Sequence, residues 1–187
     1  MPGQPGEVDF LPACHRRFCF CWYERTFPAS PFVIIPQPKN KLPTRLVTKI
    51  DFYTGSEDKL RTACQLSHKA IQNGVRVLLH TPDEAMTEAL DKLLWHYPAT
   101  AFIPHCRSEE APAADMPVVV GHQTGSFPHS ELLISLHTAC LPFFSRFERV
   151  IEIVTQDEND ARLGRERFSF YRDRGYELRH IDLRKQG

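Results

Sequence analysis

The stretch KIDFYTGSEDKLRTACQLSHKAIQNGVRVLLH, residues 49–80, predicts a strand, a helix and a second strand in succession. Residues 49–53 place β-branched and aromatic side chains at strand spacing. The helix is expected to hold acidic residues 57 and 58 in its first turn and to end at Gly74, directly before a short apolar strand over 75–80. Its buried face is expected to contain Leu60, Cys64 and Ile71. The stretch therefore forms a βαβ unit.

A second helix is predicted over residues 83–97. Thr81 is expected to cap it, with Pro82 at its first position and Glu84 completing a capping box. Its buried stripe is expected to comprise Met86, Ala89, Leu90, Leu93 and Leu94. Parallel strands flanked by helices follow from this alternation.

The rest of the chain continues the alternation of strands and helices. Further strands are predicted at residues 101–104, 117–120, 132–136, 149–155 and 176–183, with an aromatic helical turn at 141–147 and a helix at 157–174. These elements predict a three-layer α/β/α sandwich. The order of the strands in the sheet cannot be read from this pattern.

Composition limits the classes of function. The chain has 187 residues, and its 23 basic and 23 acidic side chains give a formal net charge of zero. No global basic field attracts nucleic acid, so a nucleic-acid role would act through a local patch or a partner protein. Six cysteines are too few for a disulfide scaffold, and neither a secretory signal nor a membrane-spanning stretch is recognised. We therefore expect a cytoplasmic protein.

The first 46 residues differ from the remainder. They contain eight of the fifteen prolines and show no sustained apolar period. Six basic and three acidic side chains there leave a surplus of three positive charges. We predict a domain over 47–187 and an irregular extension over 1–46. The extension is expected to be absent from the native protein, with Val47 as the true start, or else unstructured; the alternative is a genuine extension that docks through its aromatic residues.

A nucleotide or metal cofactor is not expected. The turns after the strands lack GxxxxGK[ST] and GxGxxG, whose glycines let a backbone approach phosphates closely. His80, His105 and His122 each follow a predicted strand, with Cys106 beside the second, and could gather at one edge of the sheet to bind zinc or transfer protons. The alternative is that they are turn histidines bonded to backbone. A loose cluster in the extension also lacks a second ligand pair at zinc-finger spacing; it comprises Cys14, His15, Cys19 and Cys21.

Two groups of residues suggest contact surfaces. Trp95 falls on the polar face of its helix, away from the leucine stripe, which indicates either a partner surface or a site covered by a loop. On the helix over 157–174, residues Arg165, Phe168 and Arg172 form a stripe of two guanidinium groups around one ring. Such a stripe suits a carboxylate with an apolar neighbour, and the alternative is a solvated face paired with nearby acidic residues.

Five segments in this order and spacing resemble the chi subunit of bacterial DNA polymerase III. They are KIDFYTG (49–55), DEAMTEALDKLLW (83–95), FIPH (102–105), PFFSRFERVIEIV (142–154) and GRERFSFYRDRGYEL (164–178). The resemblance begins at residue 47 and implies a sandwich with a mixed sheet, related to nucleotide-binding folds but non-catalytic. It also implies an adaptor that joins the psi subunit of the clamp loader to the C-terminal tail of the single-stranded DNA-binding protein, an acidic peptide that ends in phenylalanine. Nucleic acid would be contacted only indirectly.

The resemblance also implies roles for individual residues. Val154, Arg165 and Phe168 match the tail-binding pocket of the family, and Phe168 stands where the best-known member of the family has a tyrosine. Trp95 and Phe102 match positions used toward psi and toward a repair helicase that competes with psi. The alternative function is a small α/β hydrolase or nucleotide-dependent enzyme that uses the strand-end histidines.

Overall fold

The computed structural model describes residues 48–97, 99, 102–125 and 127–185. The predicted extension over 1–46 and its cysteine cluster therefore lie outside the described residues. The strands are β1 (Lys49–Ser56), β2 (Val77–His80), β3 (His105–Arg107), β4 (Val118–Gly121), β5 (Leu132–Ser135), β6 (Arg149–Thr155) and β7 (Glu177–Asp182). The helices are α1 (Lys59–Gln72), α2 (Glu84–Leu94) and α3 (Glu158–Asp173), with 3-10 turns at Ala111–Ala114, Phe144–Arg146 and Leu183–Lys185.

The seven strands form one sheet in the order β3-β4-β2-β5-β6-β1-β7. Every pairing among the described strands is parallel, so the predicted α/β class is confirmed and the mixed sheet implied by the resemblance is a parallel one. Parallel strands need crossover connections, which cover the two faces of the sheet with helices and turns. β3 and β7 are the two edges.

Two apolar cores lie on opposite faces of the sheet. Helices α1 and α2 cover one face, where Leu90 and Leu94 pack against Val77 and Leu79 of the central strand β2. On the other face, α3 and the aromatic turn pack against the intervening positions of the strands; this core includes Phe52, Leu78, Phe144, Val150 and Tyr171. Alternate residues of a strand point to opposite faces, so one strand supplies both cores. The predicted three layers are present.

Two predicted helix starts are wrong by a few residues. Asp83, not Thr81, caps α2, because its side chain accepts a hydrogen bond from the Met86 amide at 2.8 Å. Thr81 is buried instead, with its hydroxyl 2.6 Å from that of Thr87. Asp58 likewise precedes α1 as its cap and is not in its first turn. In both cases a carboxylate close to the helix start satisfies amides that have no partner within the helix.

The predicted strand over 101–104 is also wrong. Pairing with β4 begins at His105, opposite Val118. Pro104 has no amide hydrogen to donate to a neighbouring strand, so the apolar residues before it do not join the ladder. No helix in the described part of the chain is long and apolar enough to cross a bilayer.

A buried ion pair anchors α3 to the sheet. Arg167 donates through Nε to a carboxylate oxygen of Glu152 at 3.1 Å and through Nη1 to the carbonyl of Thr138 at 2.7 Å. Tyr171 donates to the other oxygen of Glu152 at 2.9 Å. Burial raises the pKa of Glu152 to about 7, against the opposing effects of Arg167 and Tyr171. This network joins residues from β6, α3 and the loop before β6, and no local sequence pattern predicts it.

Removing Arg167 should weaken the domain strongly. Arg167→Met leaves the Glu152 carboxylate and the Thr138 carbonyl without their charged partner, and we expect a loss of about 3 to 5 kcal/mol in the free energy of unfolding. Urea denaturation measures it. The control is Arg162→Met on the same helix, where the exposed pair with Glu166 contributes under about 1 kcal/mol. Similar losses in both variants would show that the buried pair is not an anchor.

Candidate functional site

A cavity of about 680 Å³ opens at the carboxyl ends of β1 and β6, beside α3 and the edge strand β7. Helix α1 leaves β1 on one face of the sheet and α3 leaves β6 on the other, and open α/β sheets hold ligands at such a point of divergence. The described lining comprises Phe52, Thr54, Gly55, Val154, Thr155, Gln156, Ala161, Gly164, Arg165, Phe168, His180 and Arg184. The location alone makes this cavity the leading candidate for a binding site.

A glycine sets the distance between α3 and β6 at this cavity. A Cβ atom on Gly164 would lie 2.8 Å from a methyl carbon of Val154, which is closer than two non-bonded carbon atoms normally approach. The α3 backbone therefore packs directly on the Val154 side chain. This contact brings the outer face of α3 to the rim of the cavity.

The floor of the cavity is apolar. Val154 and Phe52 are buried there, and the half-buried ring of Phe168 meets Phe52 edge-on, with ring centroids 5.2 Å apart. Edge-to-face packing holds an aromatic ring in a defined orientation. The floor thus offers a rigid surface for an apolar side chain.

Two guanidinium groups lie at the rim of the cavity, and one of them has an ion-pair partner. The exposed guanidinium of Arg165 has no ion-pair partner within the described residues. Arg184 crosses Gly55 and pairs with Asp182 at 3.0 Å, and its hydrogen bond lowers the pKa of Asp182 to about 2. No aspartate or glutamate occurs among the described lining residues. The cavity therefore favours an anionic ligand with an apolar part.

His180 contributes a further polar group to the same cavity. Its Nε2 atom lies 2.8 Å from the Thr54 hydroxyl, so β1 and β7 are linked at the rim by side chains as well as by backbone. The imidazole can serve as either donor or acceptor toward a ligand, depending on its tautomer.

The structure brings together three of the four predicted tail-binding residues. Val154, Arg165 and Phe168 line the cavity, whereas Arg172 lies farther along α3 and bonds to Asp173 and Ser169. Three further lining residues, Phe52, His180 and Arg184, are not predicted from the sequence. Strand alternation places Phe52 and His180 on one face only after the pairing of β1 with β7 is known.

An exposed aromatic pair lies at the opposite edge of the sheet. Trp95, after α2, is 56% exposed and Phe102, before β3, is 69% exposed, with ring centroids 5.7 Å apart. The Trp95 ring also contacts the buried ring of His105 at a tilted angle, with centroids 4.9 Å apart. No described loop covers the pair, so the alternative of a buried Trp95 is wrong. Adjacent exposed aromatic rings are typical of partner surfaces.

The three strand-end histidines do not form one cluster. His105 begins β3, whereas His80 ends β2 and His122 follows β4. Because these strands are parallel, His105 lies at one end of the sheet, and His80 and His122 lie at the other. His80 bonds to His137 at 2.7 Å instead, and burial lowers its pKa to about 4, which keeps it neutral. The predicted site at one edge of the sheet is therefore wrong.

A group with suitable side chains for a metal lies elsewhere. One ligand atom each from Glu84, Glu109 and His122 falls within 4.8 Å of the others. Arg107 already donates to Glu84 and Gln123 to Glu109, each at 2.7 Å. Since these carboxylates are largely exposed and have partners, we assign no metal to them.

The fold and the cavity define a class of protein: a parallel α/β/α sandwich with a cationic, apolar-floored cavity at one edge and an aromatic surface at the other. The family model described as DNA polymerase III chi subunit, HolC, matches residues 47–179, and the chain belongs to that family. It is thus an accessory subunit of DNA polymerase III, acting in DNA replication.

Individual relatives agree with this assignment. The DNA polymerase III subunit chi of Pseudomonas aeruginosa is 38% identical over 136 residues, covering 71% of this chain and 94% of the relative. That of Escherichia coli is 34% identical over 116 residues, covering 62% and 79%. Among solved structures, Saccharomyces cerevisiae Dbp5 bound to RNA and ADP BeF3 superposes with a TM-score of 0.53 at 9% identity, over 73% of this chain and 42% of that one. This last likeness concerns the fold alone.

Adding a methyl group at Gly164 should destabilise the domain. An alanine normally stabilises a helix interior by about 1 kcal/mol over glycine. Here the Cβ atom meets a stiff β-branched side chain, so we expect Gly164→Ala to lose about 1 to 3 kcal/mol of unfolding free energy by overpacking. Thermal and urea unfolding measure it, with Ser169→Ala on the same helix as control. A stabilised Gly164→Ala protein would contradict the close contact.

Proposed function

We propose that this chain is a non-catalytic adaptor that binds the acidic C-terminal tail of the single-stranded DNA-binding protein in the cavity beside α3. The observation that carries the proposal is the lining: Arg165 and Arg184 stand over an apolar floor, with no carboxylate among the described lining residues. A peptide that ends in a phenylalanine carboxylate has the complementary arrangement of one ring and adjacent negative charges.

Each part of such a peptide has a counterpart in the cavity. Arg165, without an ion-pair partner in the described chain, can hold the terminal carboxylate with two parallel hydrogen bonds. The ring of the last residue packs against Phe168 and Val154, next to the buried Phe52. Arg184 lies at the rim, where the preceding acidic side chains would pass, but its pair with Asp182 makes its attraction weaker than that of Arg165. This is the recognition of a C-terminal carboxylate combined with an aromatic pocket.

Two of the proposed residues, Phe168 and Arg172, are expected to contribute less to binding than Arg165. Phe168 has no phenolic hydroxyl, so its contribution is ring packing alone. Arg172, proposed with it, is held by Asp173 beyond the cavity, so its charge acts at a distance and is screened by solvent. We therefore expect Arg165 to be the dominant cationic contact.

Replacing Arg165 should weaken tail binding. Arg165→Ala removes a charge-assisted contact worth about 1.5 to 3 kcal/mol, which corresponds to roughly a tenfold to hundredfold loss of affinity. Fluorescence anisotropy with a labelled acidic peptide ending in phenylalanine measures it. Arg162→Ala is the matched control, because Arg162 is an exposed arginine of α3 that does not line the cavity. Equal affinities of the two variants would remove Arg165 from the site.

We also propose that the exposed pair Trp95 and Phe102 forms the surface for the psi subunit and for a competing repair helicase. Large exposed rings in contact with each other lose little conformational freedom on binding and bury much area, which is the usual property of interface hot spots. The surface lies on the β3 side of the sheet, away from the cavity beside β7. DNA would then be contacted only through the bound partners.

Truncating either ring should weaken psi binding and leave the fold intact. Trp95 and Phe102 belong to neither apolar core, and the contact of Trp95 with the His105 ring is the one buried contact among the described residues that alanine would remove. We expect at least a tenfold loss of affinity, typical of hot spots at about 2 kcal/mol. Calorimetric titration with psi measures binding, and circular dichroism measures folding. Arg165→Ala serves as the control that should bind psi normally. Normal psi binding by both aromatic variants would place the interface elsewhere.

A further inference from the structure

A second cavity, of about 500 Å³, lies on the other face of the same edge strands. Consecutive residues line the two cavities in turn. Thr54, His180 and Arg184 face the first cavity, and their neighbours Tyr53, Ile181 and Leu183 face the second. Because β7 is the edge of the sheet, a single strand separates the two cavities at the rim.

The second cavity, like the first, is lined by basic side chains. Lys69, Arg149 and Arg179 are among its lining residues, and no described lining residue is an aspartate or glutamate. Arg149 is paired with the buried Asp51, while Lys69 and Arg179 are exposed and have no ion-pair partner within the described residues. An apolar surface formed by Tyr53, Ile181 and Leu183 lies between these charges.

Two carboxylates lie next to the second cavity, on the side away from β7. An adjoining depression shares Arg149 with the second cavity and is lined also by Glu131 and Glu148. An acidic ligand would be repelled there and attracted from the side of β7, where Arg179 and Arg184 lie. The charge distribution therefore favours an acidic ligand that passes from the first cavity to the second across the edge strand.

We propose that the acidic peptide bound in the first cavity continues over the edge strand β7, and that its upstream acidic residues contact Arg179 and Lys69 in the second cavity. This inference rests on the proposed function and adds a second contact site to it. An extended chain spans roughly 3.3 Å per residue, so about six residues upstream of those held in the first cavity cover the roughly 20 Å around one edge strand and its side chains. The upstream residues would supply charge and the terminal residue would supply the ring.

Two synthetic peptides separate the two sites. One is an aspartate-containing hexapeptide that ends in phenylalanine with a free carboxylate, and the other adds about eight upstream residues, half of them aspartate. On the unaltered chain, we expect the longer peptide to bind roughly three- to tenfold more tightly, as two exposed ion pairs allow. In the double variant Lys69→Glu/Arg179→Glu, this advantage should disappear while the hexapeptide binds as before.

The control is Arg76→Glu, an exposed arginine that lines neither cavity. It should retain the advantage of the longer peptide, and circular dichroism should show all variants folded. Equal binding of the two peptides to the unaltered chain, or an equal loss of the advantage in Arg76→Glu, would overturn the second site. The first site is tested separately by Arg165→Ala. An unchanged affinity of this variant for the hexapeptide would overturn the first site.

Discussion

The pairing of Arg167 with Glu152 determines where α3 sits, and the candidate site depends on it. The buried residues of α3 are Asp160, Gly164, Arg167 and Tyr171, and only Tyr171 offers a large ring, so apolar burial alone defines the rotation of the helix weakly. The Arg167 guanidinium, by contrast, must meet a fully buried carboxylate in the middle of β6. Successive residues of a helix are about 100° apart, and fixing Arg167 and Tyr171 inward leaves Arg165 and Phe168 at the rim of the cavity. A buried pair is costly to desolvate, and its value here is that it selects one register of the helix on the sheet.

The parallel topology of the sheet determines the position of the cavity, and the side chains that line it determine its charge. At the carboxyl ends of β1 and β6 the chain leaves toward opposite faces, and the gap between α1 and α3 is where such sheets accommodate ligands. Sheets that bind phosphates there use glycine-rich backbone, which this sequence lacks. Its positive charge comes from Arg165 on α3 and Arg184 in the last 3-10 turn, a chemistry suited to carboxylates on a flexible peptide.

The two proposed partner surfaces are separated by the width of the sheet. Six strand spacings of about 4.8 Å place the β3 edge roughly 29 Å from the β7 edge. The aromatic pair at one edge and the cationic cavities at the other share no residues, so one ligand need not displace the other. A small accessory subunit can therefore join two partners without a conformational change, provided that the sheet between them is rigid. The central strands β4, β2, β5 and β6 are buried on both faces, which supplies that rigidity.

Local features of this protein could be predicted from the sequence, and features made by distant residues could not. The strand at Arg149–Thr155, the helix ended by Asn73 and Gly74, and the α3 cap at Asp157 depend on residues a few positions apart, so apolar period and capping chemistry determine them. The strand order and the contributions of His180 and Arg184 to the cavity arise from residues brought together only by folding. Arg165 and Arg167 show the limit most clearly. They are the same residue type two positions apart, and only the packing of α3 on Glu152 makes one an exposed candidate ligand contact and the other a buried anchor.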